Sequence, residues 1–287
     1  MMRNNFLYPQ SKINHIVKTI ERAKQTRSIE QQFLDDLVMS IEKDCLKDNR
    51  RPSLTYKPSS MNCMRQSFYL ILNVYCPPDK QTYSSCGICE SGTDRHERIQ
   101  KAIAGMRDNG FDCDYVDVET YIKQHNLIDL EVKSKSGMET KVYNKKLNMS
   151  FLTDGIIKYK QRYFIFEFKT EVSNKLRNRI NIDPAHISQG TAYSDAFNIN
   201  DVMFLYENRD TCEKKVYLLN VTPEDKFNRI HKYIKDCDEY IKNKIVPPMP
   251  QDPALLKKCR YCPYRARCAS DGPVSYKLNM SEVKFND

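Results

Sequence analysis

The chain has 287 residues and carries 46 Lys and Arg against 37 Asp and Glu, a formal net charge of +9. It contains no run of about 18 apolar residues, which excludes a membrane-spanning helix, and its basic balance favours a polyanionic partner. The length fits either two domains or one decorated α/β domain and suffices to bury a substantial core. The start, Met1-Met-Arg-Asn-Asn-Phe-Leu-Tyr-Pro9, lacks the apolar stretch of a secretory leader, so a cytoplasmic location is expected. In a reducing compartment eleven cysteines point to metal or redox chemistry rather than disulfides. The scattered Cys45, Cys76, Cys113, Cys212 and Cys237 read as core filling.

Residues 12–48 hold apolar positions at helical spacing (Ile13, Ile16, Val17, Ile20; Phe33, Leu34, Leu37, Val38, Ile41) and predict two helices. A link containing Pro52 and Pro58 leads into a helix from about Ser60 through Leu72. A polar loop is expected over 76–92, then a helix from Gly92 carrying His96. Residues 111–135 give no clear pattern, and from about 139 to 170 β-branched and aromatic residues predict strands. Asp183-Pro184 suits a helix start, with Asp as N-cap and Pro in the first turn, and this helix should reach about Phe197. Strands near 202–207 and 214–220 follow, then a long helix over about 222–244, ended by Val246-Pro-Pro-Met-Pro250.

The most telling stretch is Phe151-Leu-Thr-Asp-Gly155 followed by Tyr163-Phe-Ile-Phe-Glu-Phe-Lys169. It reads as a β-hairpin with Asp154 on one strand and Glu167 and Lys169 on the next. Side chains two apart on a strand share a face, so Glu167 and Lys169 project together while Phe166 and Phe168 turn to the opposite, buried side. Two carboxylates beside a lysine suit a Mg²⁺ or Mn²⁺ ion and a water nucleophile. His96, on a basic helix upstream, is a candidate nitrogen ligand that favours Mn²⁺. Glu97 beside it reads equally well as a carboxylate backing the metal ligands or as a plain surface residue. Gln189 and Tyr193 lie four apart on one helix face, placed either to pack into the core or to reach a nucleic-acid backbone. Lys141 to Arg179 is strongly basic with Tyr143, Tyr159 and Tyr163 interleaved, a pattern suited to phosphate contacts and base stacking on single strands.

Cys259-Arg-Tyr-Cys262-Pro-Tyr-Arg-Ala-Arg-Cys268 places three thiols within ten residues. A structural zinc ion takes four ligands, and three local cysteines plus a distant one also suit a [4Fe–4S] cluster. Cys63 or the Cys86-Gly-Ile-Cys89 pair could complete the set, and spacing leaves both open.

His96, Asp154, Glu167-x-Lys169 and Gln189-x-x-x-Tyr193 occur in the order that marks the PD-(D/E)XK nucleases of the RecB type. Cys63-x-Arg65 with Cys259, Cys262 and Cys268 resembles their iron–sulfur branch, which includes the AddB nuclease domain and the CRISPR-adaptation exonucleases. The resemblance covers roughly residues 60–270. It implies an α/β, restriction-endonuclease-like mixed central sheet flanked by helices, with a C-terminal cysteine cluster stapled to an N-terminal helix. It implies a helical extension over 1–58, a nuclease domain over 59–270 and a tail over 271–287. It further implies His96, Asp154, Glu167 and the Phe168 carbonyl as metal ligands, Lys169 as the group that positions water, and Gln189 and Tyr193 as an accessory motif. Cys63, Cys259, Cys262 and Cys268 would hold the cluster. The sequence departs from the family pattern at Thr153, where the naming proline stands, and at Phe151, where glycine is usual; Cys86 and Cys89 are extra. The expected activity is metal-dependent exonucleolytic cleavage of DNA with free ends or single strands, in recombination, repair or end processing. No Gly-rich Walker loop is present, so a helicase, recombinase or CRISPR-adaptation partner would supply any motor. The rival expectation is a non-catalytic nucleic-acid-binding module with a structural zinc site, and a sequence-specific endonuclease lacks any base-reading element.

Overall fold

The computed structural model describes residues 28–45, 54–75 and 83–286. The chain divides into two compact units, Met1–Asn49 with Lys80–Cys89, and Arg50–Asp79 with Glu90–Asp287. In the first, the second of the two expected N-terminal helices is α1 (Ile29–Cys45); the other lies outside the described residues. Of the expected loop over 76–92, residues 83–92 are instead helical, because α3 (Tyr83–Ala104) begins at Tyr83.

The second unit is built on a five-stranded mixed sheet of order β1-β5-β6-β7-β8 (Cys113–Val116, Ile156–Tyr159, Arg162–Glu171, Asp201–Asn208, Lys214–Asn220). Only β6 and β7 run parallel. That pairing needs a crossover, and the chain supplies it with the short α5 (Ser173–Arg177) and then α6 (Pro184–Phe197). β5 and β6 form a tight hairpin whose Lys160 and Gln161 both have positive φ, the geometry that matches strand twist in a two-residue loop. A separate antiparallel sheet, β2-β3-β4 (Leu130–Ser136, Glu139–Asn144, Met149–Thr153), packs in the same unit. The unpatterned 111–135 region therefore holds β1, the short helix α4 (Val118–Gln124) and β2.

Both faces of β6 are covered, which is why it reads as a continuous apolar run. Phe164, Phe166 and Phe168 pack with Ile99 and Ile103 of α3 on one side. On the other, Ile165 joins Ala192, Tyr193 and Phe197 of α6 and Phe68 of α2 (Met64–Ile71) in the main core. Each such buried aromatic contributes about 1.5–3 kcal/mol relative to exposure. Asp183 caps α6 by accepting the Ala185 N–H at 3.0 Å, with Pro184 in the first turn. Gly190 brings this helix close to the sheet: a Cβ there would stand 3.0 Å from the Phe204 ring. The long C-terminal helix begins at Thr222 with a reciprocal Thr222–Asp225 cap and passes through a π turn at Phe227–His231. Cys113 and Cys237 are buried as expected, but Cys212 is exposed, in a turn with φ 61°. The Cys45 side chain and Cys76 lie outside the described residues. Among the described residues no helix is long and apolar enough to cross a membrane.

Candidate functional site

The two strands of the expected Asp154 hairpin prove to belong to different sheets. β4 ends at Thr153, β5 starts at Ile156, and Asp154-Gly155 is the crossing between them. Gly155 has φ 142°, and a Cβ on it would lie 2.9 Å from the Tyr115 ring; only glycine fits that turn. Thr153, in the place of the family proline, uses its hydroxyl to accept the Gly155 N–H at 3.3 Å. Asp154 is thereby buried at the open end of β6, where its Oδ2 accepts the Phe168 N–H at 2.7 Å. The side chain that was expected on a paired strand is instead locked to β6 through the backbone.

The other Asp154 oxygen, Oδ1, lies 3.2 Å from His96 Nδ1, and Glu139 Oε1 lies 3.7 Å from the same nitrogen. His96, Glu139 and Asp154 form the one group among the described residues whose histidine, cysteine or carboxylate ligand atoms all come within 4.8 Å of one another. Glu139 is a residue that the motif reading missed. It opens β3, and the Glu-x-Lys spacing it shares with Lys141 was the available signal. The His96 ring stands edge-on to Phe168, 4.9 Å between centroids, which sets its approach from α3. Burial works against charge on His96, but Asp154 and then Glu139 outweigh it and raise its pKa. Glu139 is likewise raised, by burial and then by Asp154. Helix α3 is pinned beside this histidine: Arg95 and Arg98 both donate to the fully buried Glu207 of β7.

Glu167 is buried, with one oxygen satisfied and one not. Oε1 accepts from Lys169 Nζ and from Gln189 Nε2, the latter at 2.8 Å, whereas Oε2 has no hydrogen-bond partner. Burial, then the charge of Asp154, pushes its pKa up to about 8 against the pull of Lys169. Burial lowers the Lys169 pKa, yet Glu167 and Asp154 more than reverse this and leave it raised. Gln189 also donates to the Tyr193 hydroxyl at 2.7 Å, and Tyr193 donates to the Leu152 carbonyl at 2.8 Å. Gln189 and Tyr193 thus link β6 to β4 in one hydrogen-bonded relay, with Phe151 packed on the Tyr193 ring at 4.9 Å. The structure therefore brings His96, Asp154, Glu167, Phe168, Lys169, Gln189 and Tyr193 to one end of the sheet. Of the interleaved tyrosines, Tyr163 packs edge-on against Tyr121 and is not a free stacking surface. Arg179 is tied to Glu171 in a buried pair.

The four cysteines lie in one region, near enough to feel one another's charge, but no three of their sulfur atoms come within 4.8 Å of one another. The Cys63 thiol is raised by burial and then by Cys268 and Cys259. Cys262 is pushed up to about 11, mainly by burial, with Cys63, Cys259 and Cys268 adding to it. Beside them Arg65 is 1% exposed. It donates to the carbonyls of Pro247 (2.6 Å), Gly272 (2.5 Å) and Val274 (3.0 Å) and to Cys268 Sγ (3.6 Å). No carboxylate pairs with it among the described residues; the nearby Asp271 is held by Arg267. A buried guanidinium without a counter-charge is costly, and the Cys268 sulfur is the side-chain acceptor it reaches. Cys86 and Cys89 sit three apart on α3; against the expectation of no disulfides, Cys86 is disulfide-bonded, so it cannot join Cys89 as a free thiol ligand pair.

A family model of the PD-(D/E)XK nuclease superfamily matches residues 119–269, just over half of the chain. The chain belongs to this superfamily. The matched span of the nuclease fold holds Glu139, Asp154, Glu167, Lys169, Gln189, Tyr193 and the three C-terminal cysteines; His96 and Cys63 precede it. A search of curated protein sequences gives no significant match. Among solved structures the superfamily member is similar to SSO0001, at 17% identity and TM-score 0.42, covering 88% of this chain and 100% of that one. It is also similar to LHK-Exo, an alkaline exonuclease from Laribacter hongkongensis, at 9% identity and TM-score 0.33, covering 67% and 91%. Likenesses this distant add nothing to the family assignment.

Proposed function

We propose that this superfamily member is a Mg²⁺- or Mn²⁺-dependent deoxyribonuclease of the RecB type, iron–sulfur branch, that acts as an exonuclease on DNA ends or single strands. The observation that carries the reading is Glu167 Oε2, a buried carboxylate oxygen with no hydrogen-bond partner, next to an Asp154 whose charge disfavours its ionisation. Uncompensated buried carboxylates are costly, and a divalent cation removes that cost. His96, Asp154, Glu167 and the Phe168 carbonyl would hold the ion, and Glu139 joins them on the strength of its place in the His96–Asp154 group. When bound, the ion supplies water activation and charge stabilisation.

The chain's own groups do the rest. Lys169 is held by Glu167 and carries a proton, so it orients the attacking water by donating to it and faces the negative charge that develops on the phosphate. Gln189 keeps the Glu167 carboxylate turned, and Tyr193 anchors Gln189 through Leu152. Cys63, Cys259, Cys262 and Cys268 would bind a [4Fe–4S] cluster, with zinc as the alternative, and the uncompensated Arg65 charge supports an anionic centre there. Broad visible absorbance and iron content after anaerobic purification test that choice, since zinc is colourless. The nuclease domain would span 59–270, between an N-terminal extension over 1–58 and a tail over 271–287. Recombination, repair or end processing, with a helicase, recombinase or CRISPR-adaptation partner in the cytoplasm, is the setting this reading fits.

A time course on end-labelled single- and double-stranded DNA with Mg²⁺ or Mn²⁺ tests the assignment. An exonuclease releases mononucleotides or short products from the labelled end; internal fragments from closed circular DNA contradict the exonuclease reading, and intact DNA throughout contradicts the nuclease reading.

A further inference from the structure

The smaller sheet has one face in the core and one in solvent, and the solvent face ends at the candidate metal centre. Tyr56 extends this sheet: it bridges Met149 in parallel, donates its N–H to the Asn148 carbonyl at 2.8 Å and accepts the Ser150 N–H at 2.9 Å. Tyr56 and Met149 are buried, so by strand alternation Lys57 stands on the opposite face with Ser150 and Leu152 of β4. In the β3–β4 register Tyr143 faces Ser150 and Lys141 faces Leu152. Leu152 is 48% exposed, and Lys133 lies over the Tyr143 ring at 5.4 Å. Followed toward their ends, β3 reaches Glu139 two residues from Lys141, and β4 reaches Asp154 two residues beyond Leu152.

Two features make this face unusual. Neither Lys57 nor Lys141 has a carboxylate partner among the described residues, although Lys133 on the same sheet pairs with Glu131 and Lys169 at the site pairs with Glu167. Lys57 is also half-buried, and burial together with the neighbouring Lys141 lowers its pKa. Two ammonium groups held near each other without an acid form an anion site that the protein does not fill itself. Tyr143 and Leu152 add an aromatic and an apolar surface between them, the mixture on which successive bases of a single strand rest.

We propose that the outer face of the β2-β3-β4 sheet, centred on Lys57, Lys141, Tyr143 and Leu152, is the track along which single-stranded DNA reaches the His96–Glu139–Asp154 centre, with Lys57 and Lys141 taking backbone phosphates. This rests on the nuclease reading and specifies the form of substrate and its path. Duplex DNA is the competing form, and its preferential loss of binding in the test below counts against the track as stated.

The test uses the full chain carrying Asp154→Asn, so that DNA survives, and a fluorescein-labelled oligothymidylate followed by anisotropy over a salt series. In that background Lys57→Gln with Lys141→Gln should weaken binding about tenfold or more. It should also reduce the salt slope by about 1.4, at roughly 0.7 for each single-strand phosphate no longer neutralised. Lys101→Gln with Lys242→Gln removes the same charge elsewhere and should change neither. The melting temperature of the Lys57/Lys141 variant should equal or exceed the parent's, because a repelled, half-buried charge is removed; a purely structural pair would lower it. Affinity and slope equal to the control variant's, or an effect confined to a labelled duplex, overturn the track while leaving the nuclease reading intact. A parent that binds no oligonucleotide and a wild type that cleaves none overturn both.

Discussion

The Phe168 N–H donates to Asp154 Oδ2 at 2.7 Å, so the acid that closes the candidate metal centre also satisfies a buried backbone donor on the strand bearing Glu167 and Lys169. Asp154→Ala should therefore cost stability as well as activity. An unsatisfied buried donor costs about 1–3 kcal/mol. Asp154→Asn keeps an acceptor oxygen and should lose activity with a smaller change in the urea midpoint. Equal stability losses for the two variants would show that the bond to Phe168 carries no weight.

The Tyr193 hydroxyl lies between Gln189 and the Leu152 carbonyl. Tyr193→Phe should remove about 0.5–1.5 kcal/mol and lower the rate of DNA hydrolysis while leaving cation affinity within a few-fold of wild type. Mn²⁺ titration by calorimetry separates these, and an unchanged rate would mean that the relay to Gln189 and Glu167 has no catalytic consequence.

Arg65 is buried against Cys268 with no carboxylate partner among the described residues. Arg65→Met should shed metal from the cysteine site faster under chelator challenge than wild type, read by metal analysis and visible absorbance. The three carbonyls it serves also lose their donor, so the melting temperature should fall. Arg65→Lys restores charge but not the fork of donors and should recover only part of either. Metal retention equal to wild type in both variants would argue against a counter-charge role.

His186 Nδ1 shares a hydrogen bond with the Tyr206 hydroxyl at 2.9 Å, and burial, with Lys169 next, depresses its pKa to about 3. The folded value lies below the ordinary value of 6.5, so the unfolded chain binds the extra proton and stability falls as pH drops from about 6.5 toward 3. Chemical denaturation at a series of pH values should show this loss, and His186→Asn should flatten it. A slope identical in the variant would place the acid sensitivity elsewhere, for instance at Asp183, whose carboxyl is also depressed despite the opposing effect of burial, by the Ala185 N–H and Lys175.

Much of this site was legible because its chemistry is local. Glu167 and Lys169 share a face by strand alternation, Gln189 and Tyr193 by helical spacing, and Asp183-Pro184 marks the start of the helix that carries the latter pair. The mixed sheet flanked by helices was implied by the family resemblance and is what the structure has. The crossing at Asp154-Gly155 was not legible: only two residues separate β4 from β5, too few to mark where one sheet ends and the other begins. Glu139 was missed because Glu-Thr-Lys at a strand start looks like a solvated edge, and only the smaller sheet's register delivers it to His96. The Arg65 environment was hidden for a similar reason, since its acceptors lie about two hundred positions away.

The central claim is tested most directly by cation-dependent hydrolysis of end-labelled DNA, comparing wild type with Asp154→Asn, Lys169→Met and Glu139→Gln, each shown to be folded by circular dichroism. Wild type should degrade DNA only with Mg²⁺ or Mn²⁺, Asp154→Asn and Lys169→Met should be inactive, and Glu139→Gln should need about tenfold or more Mn²⁺, the scale on which groups supporting a metal site act. Degradation without a divalent cation, or full activity in Asp154→Asn and Lys169→Met, would contradict it.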